Sequence, residues 1–222
     1  MARRPGTVPL PPPPPQFAAG WQLGTPDAIL RPTAPIAVAA AAPDRVRNFV
    51  LAHGETRERF VAAVEIRPGN PAVHHAVLAV DATGRARRLD AKDAEFGFEA
   101  MDLGGAKPPD GRFVGWTPGK AARRAPDGQA WRLRPGVDVV LQLHLTATGK
   151  DETVRPEVGL YFTDVAPTVV SYPLTLFSTA IDLPPGAKGI VVRDAFVVPL
   201  PVAIHSVYPH AHYLCTSMRA WA

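Results

Sequence analysis

Short apolar runs in this sequence stop at proline or glycine before they reach helical length, and this limits the fold more than any other feature. The 222 residues include 26 prolines and 18 glycines. Most sit at the ends of those runs, as turns do in an all-β domain. The segments Arg47–Ala52, Arg59–Ile66, His74–Val80, Arg112–Trp116, Val137–Ala147 and Val158–Phe162 read as strands, each bounded by Gly, Pro, Asp or Asn. No stretch keeps a helical period. With 46% hydrophobic residues the chain has apolar material for one substantial core or two modest ones. The expected class is therefore all-β, an antiparallel β-sandwich.

Residues 1–20, with the run Pro11 to Pro15, read as a polyproline-like linker. The first sandwich is expected over 21–168. After Asp164 a Val-Ala-Pro connection leads to new apolar segments, Val169–Phe177 and Ile190–Val198, then one through Tyr208 to Leu214. Residues 169–222 are expected to open a second sandwich and not to complete it, because a typical sandwich needs ~100 residues. The start, Met1-Ala2-Arg3-Arg4, runs straight into prolines and lacks the apolar stretch of ~7–15 residues of a signal peptide. No apolar run approaches the ~20 residues of a membrane span.

Charge narrows the function. The net charge of +4 comes from 24 basic and 20 acidic side chains that are interspersed rather than gathered on a face, which argues against nucleic-acid binding. Arg85, Arg87 and Arg88 follow a turn-like Asp81-Ala82-Thr83-Gly84 and read as a solvated loop. A single cysteine, Cys215, excludes an intrachain disulfide, and no CxxCH offers a c-type haem attachment. There is no GxSxG, HExxH, GxGxxG or P-loop.

Histidines carry the main chemical signal. His74, His75, His144, His210 and His212 lie in or beside strand-like segments, whereas His53 and His205 have no partner at useful spacing and read as surface or packing residues. Along Val137–Ala147, Val139, Leu141, Leu143 and Leu145 share the core face, which turns Asp138, Val140, Gln142, His144 and Thr146 outward. Adjacent His74 and His75 point to opposite faces on a regular strand, so both reach one metal only at a strand end or a bulge. His210 and His212 have the spacing that puts two side chains on one strand face. Imidazole ligands suit copper, zinc, iron or nickel alike.

Several segments occur in a telling order: Gly24-Thr25-Pro26-Asp27, Pro68-Gly69-Asn70-Pro71-Ala72-Val73-His74-His75, Trp116-Thr117-Pro118-Gly119, Leu141-Gln142-Leu143-His144, Thr148-Gly149-Lys150 and Val207-Tyr208-Pro209-His210-Ala211-His212. Together they resemble the copper type II ascorbate-dependent monooxygenases, relatives of peptidylglycine alpha-hydroxylating and dopamine beta-monooxygenases, in a bacterial form. The resemblance implies two jelly-roll-like sandwiches facing each other across a cleft, one copper on each, and C–H hydroxylation by dioxygen with a reductant such as ascorbate. It assigns His74, His75 and His144 to the electron-storing copper, and His210 and His212 to the oxygen-activating copper as catalytic ligands. The family's methionine ligand lies well beyond the HxH pair, and Met218, six residues past His212, does not match it. The chain is thus expected to be an incomplete form, with exported or periplasmic location implied by resemblance alone. The rival expectation is a non-catalytic metal- or carbohydrate-binding sandwich of a larger protein; weaker rivals are a zinc hydrolase and a Cys215 nucleophile.

Overall fold

The computed structural model describes residues 20–211 and 214–222. In chain order its elements are β1 (Ala28–Leu30), β2 (Ile36–Val38), β3 (Arg45–Leu51), β4 (Arg59–Arg67), β5 (Val73–Asp81), α1 (Arg85–Asp90), β6 (Phe98–Glu99), β7 (Val114–Trp116), β8 (Trp131–Leu133), β9 (Asp138–Leu145), β10 (Glu152–Val154) and β11 (Glu157–Thr163). Six of these coincide with the strands read from periodicity. The other five strands are only two or three residues long, too short to display a period.

Two antiparallel sheets, ordered β1-β11-β4-β8 and β6-β3-β9-β5-β7, pack face to face, and β10 and β2 form a separate ribbon. The core draws on both sheets: Val61, Leu133, Val158 and Leu160 from the first meet Phe49, Leu78, Leu141 and Leu143 from the second. The all-β sandwich expected from the sequence is present.

β9 lies at the centre of the larger sheet, between β3 and β5. Its Val139, Leu141, Leu143 and Leu145 enter the core as alternation requires. The opposite face differs from expectation, because most of it is covered. Val140 packs with Ala79, Ala86, Phe98 and Ala106 in a second, smaller cluster. Polar contacts hold this cover down: Asn48 donates to the carbonyls of Phe98 and Ala100 at 3.2 and 2.8 Å, and Gln142 donates to Asn48 and Ala100, both at 3.0 Å. The buried Arg47 guanidinium donates to the Gly97 carbonyl at 2.6 Å and pairs with Asp93 at 3.2 Å. Only the end of this face that carries His144 stays partly open.

The arginine cluster expected in a loop instead lies on α1, six residues long. Asp81 organises its entry: one carboxylate oxygen accepts from the Thr83 amide at 2.8 Å and the other from the Ala86 amide at 2.7 Å. Arg87 reaches the buried Asp138 carboxylate at 2.5 Å, while all three arginines remain exposed.

By contact density the chain divides at residues 173 and 174. The described residues of 164–222 form no helix or strand, the apolar segments Val169–Phe177 and Ile190–Val198 included. Apolar runs become strands only when a neighbour completes their hydrogen bonds. Here their side chains face solvent, Val197 at 90% and Val191 at 69% exposure. The proline-rich stretch expected as a linker lies outside the described residues up to residue 19.

Candidate metal centre

The site begins at the turn into β5. Gly69 takes a left-handed φ of 72°, and Asn70 closes the next turn by accepting from the Ala72 amide on its side chain at 2.8 Å and from the Val73 amide on its carbonyl at 3.2 Å. The Thr146 amide then donates to the Ala72 carbonyl at 2.9 Å. These bonds pin the start of β5 against the end of β9, with Val73 opposite Leu145 on the core side.

Further along, Ala76 faces Leu143 and Leu78 faces Leu141, again on the core side. Val73 and Ala76 thus both point inward although they are three residues apart, and a strand of period two cannot provide that spacing. One residue must be surplus. The register slips between Val73 and His75, so that His75 stands opposite His144 and His74 is the extra residue of a β-bulge. The bulge is what turns two consecutive histidines toward the same side. Sequence reasoning required a strand end or a bulge, and the inward pair Val73 and Ala76 is the signal that points to the bulge.

The three rings converge. His74 Nδ1 lies 3.2 Å from His144 Nδ1 and 3.3 Å from His75 Nδ1, and one ligand nitrogen from each ring lies within 4.8 Å of the others. Centroids are 4.9 to 5.4 Å apart and the rings meet edge to face, at 64° to 81°. Parallel stacking, which would turn the nitrogens away from a common point, is absent among them. A metal bound at ~2.0–2.1 Å to imidazole nitrogens at tetrahedral angles would hold them about 3.3 Å apart. A single proton can bridge only one of the nitrogen pairs, whereas one cation satisfies all three, so the donor set fits a metal ion.

The surroundings limit the chemistry. His74 is exposed, and His75 and His144 are half-buried. On the far side of His144, Nε2 lies 3.3 Å from Asp44 Oδ2. Asp44 immediately precedes β3, whose Val46 is the other cross-strand neighbour of His144. Nothing in the sequence pointed to Asp44, which reads simply as a turn residue after Pro43. A surface cleft of ≈ 640 Å³ lies beside Glu65, Arg67, Asn70 and Trp116.

The other predicted site residues belong to the second unit, 174–222. His210 is exposed in the 174–222 unit, and His212 lies outside the described residues. Met218 and Cys215 are exposed in the same unit. His53 is a packing residue: Nδ1 accepts from the Glu55 amide at 3.2 Å and Nε2 lies 3.0 Å from the Val137 carbonyl. Compared with known proteins, the chain matches no family model, no curated protein and no solved structure.

Proposed function

We propose that residues 20–173 form a copper-binding, electron-storing module of an oxidoreductase of the copper type II ascorbate-dependent monooxygenase kind. The observation that carries this reading is the bulge at His74, which converts an adjacent His-His pair and a histidine on the next strand into one trigonal donor set. Three neutral nitrogens with no thiolate and no carboxylate among them accept a metal in either of two charge states. Copper, when bound, supplies reversible one-electron storage between Cu(I) and Cu(II).

The protein's part is to hold three rings on a rigid frame so that the site reorganises little between those states. His144 is fixed by β9 between two paired strands, and His75 by its cross-strand pairing with His144. His74 is exposed, which suits exchange of electrons with a small reductant such as ascorbate. Hydroxylation itself would use the second copper assigned by resemblance to His210 and His212.

A second reading is a non-catalytic metal-binding module, favoured by the exposure of His74 at the triad. A zinc hydrolase is disfavoured because Asp44, the acid paired with His144, sits behind that ring and not at the face where a metal-bound water would stand. Metal analysis after copper loading and desalting tests the proposal. Wild type should retain one copper at the triad with a Cu(II) resonance that ascorbate abolishes, and His144→Ala should lose it. A wild-type chain without copper, or a His144→Ala variant with undiminished copper, overturns the site; copper that ascorbate cannot reduce favours the module reading.

A further inference from the structure

We infer that Asp44 is a positioning residue for His144, selecting which ring nitrogen faces the metal and biasing the site toward the more highly charged metal. This rests on the three-histidine copper reading. A neutral imidazole has one N–H and one lone pair, and the group beside one nitrogen decides which is which. Nδ1 of His144 faces His74 at 3.2 Å and Nε2 faces the Asp44 carboxylate at 3.3 Å. A carboxylate only accepts, so it places the proton on Nε2 and leaves the Nδ1 lone pair pointing into the triad.

The ion pair places Asp44 on the side of the His144 ring away from His74. The contact is longer than the ~2.7–2.9 Å of a full charge-assisted hydrogen bond. The Asp44 side chain is 57% exposed. The same exposure screens its charge, so the effect belongs at the low end of the 10- to 100-fold typical of partners behind a metal ligand.

The experiment compares wild type with Asp44→Ala, Asp44→Asn and Asp44→Glu in the full chain, measuring Cu(I) and Cu(II) affinities by chelator competition and the one-electron midpoint potential by redox titration. Nitrogen-15 NMR of the metal-free chain reads the His144 tautomer. Asp44→Ala should weaken Cu(II) binding about tenfold more than Cu(I) binding, a rise of about 59 mV in potential, and should mix the tautomers. Asp44→Asn should raise the potential similarly but keep the Nε2–H form, because its amide oxygen still accepts. Asp44→Glu should restore the Cu(II) to Cu(I) affinity ratio to within threefold of wild type.

Potentials and tautomers unchanged in all three variants, with copper still bound through the histidines, overturn the inference and leave the copper site standing. The same holds if the variants lower only the melting temperature, which is what a purely structural Asp44 would do. Failure of wild type to retain copper, or retention by His144→Ala, overturns the copper reading and this inference with it.

Discussion

Deleting one histidine from the His74-His75 pair separates the architecture from the metal chemistry. Because the two residues are identical, loss of either leaves Val73, a single histidine and Ala76 in succession. That order restores regular alternation: Val73 stays opposite Leu145 on the core side, the remaining histidine faces His144 outward, and Ala76 stays opposite Leu143. No core side chain moves to the wrong face, and the ladder closes without a surplus residue. Stability of the metal-free chain should therefore change by no more than about 1 kcal/mol, as for substitutions outside the core.

Metal binding should fall sharply. Structural zinc sites with four ligands bind with ~10–16 kcal/mol, roughly 3 kcal/mol per ligand, and an equal loss here is about a hundredfold in affinity. The measurements are urea unfolding of the apo chain and competition with a copper chelator, with His74→Ala as the control that keeps the bulge but removes the ring. Both variants should lose copper to similar extents and remain folded. A deletion variant that unfolds, or that loses more than about 3 kcal/mol, would show that the bulge is not a removable insertion. Unchanged copper affinity in either variant would remove His74 from the ligand set.

Three further outcomes follow from the packing. Leu141 is fully buried at the centre of β9, so Leu141→Ala should lower the free energy of unfolding by about 2–5 kcal/mol in a denaturant titration. The buried Glu65 carboxylate accepts from the amides of Gln22, at 2.8 and 2.9 Å, and Leu23, at 3.2 Å; Glu65→Gln should cost about 1–3 kcal/mol and raise hydrogen exchange at those two amides. Burial, followed by the nearby Glu65 charge, pushes the Tyr161 hydroxyl up to about 12 from its ordinary value near 10. The folded state therefore holds this proton more tightly than the unfolded one, so its contribution is full below pH ~10 and is lost as pH rises toward ~12, at most about 2–3 kcal/mol. Tyr161→Phe should flatten that alkaline fall in stability.

Legibility in the sequence followed element length and locality. β3, β4, β5, β9 and β11 are long enough for alternation to show, and their boundaries match the reading to within two residues or so. β1, β2, β8 and β10 have three residues each, and their pairings span over a hundred residues in the case of β1 with β11 and β2 with β10. α1 is too short for a 3.6-residue period, and its start depends on the Asp81 side chain. Beyond residue 173 the described apolar segments form no strand, although their composition resembles that of strands.

For the metal site the division is equally physical. By itself the sequence determined the donor chemistry, three imidazoles with two of them adjacent, and the alternation that sends His144 to the face opposite the core. Only the tertiary structure decided that β5 and β9 are neighbours, that Val73 and Ala76 both turn inward, and that His74 is consequently forced out beside His75. It also placed Asp44 behind His144. Alternation along one strand is a local property of the backbone, but register between strands is set by the packing of both faces at once.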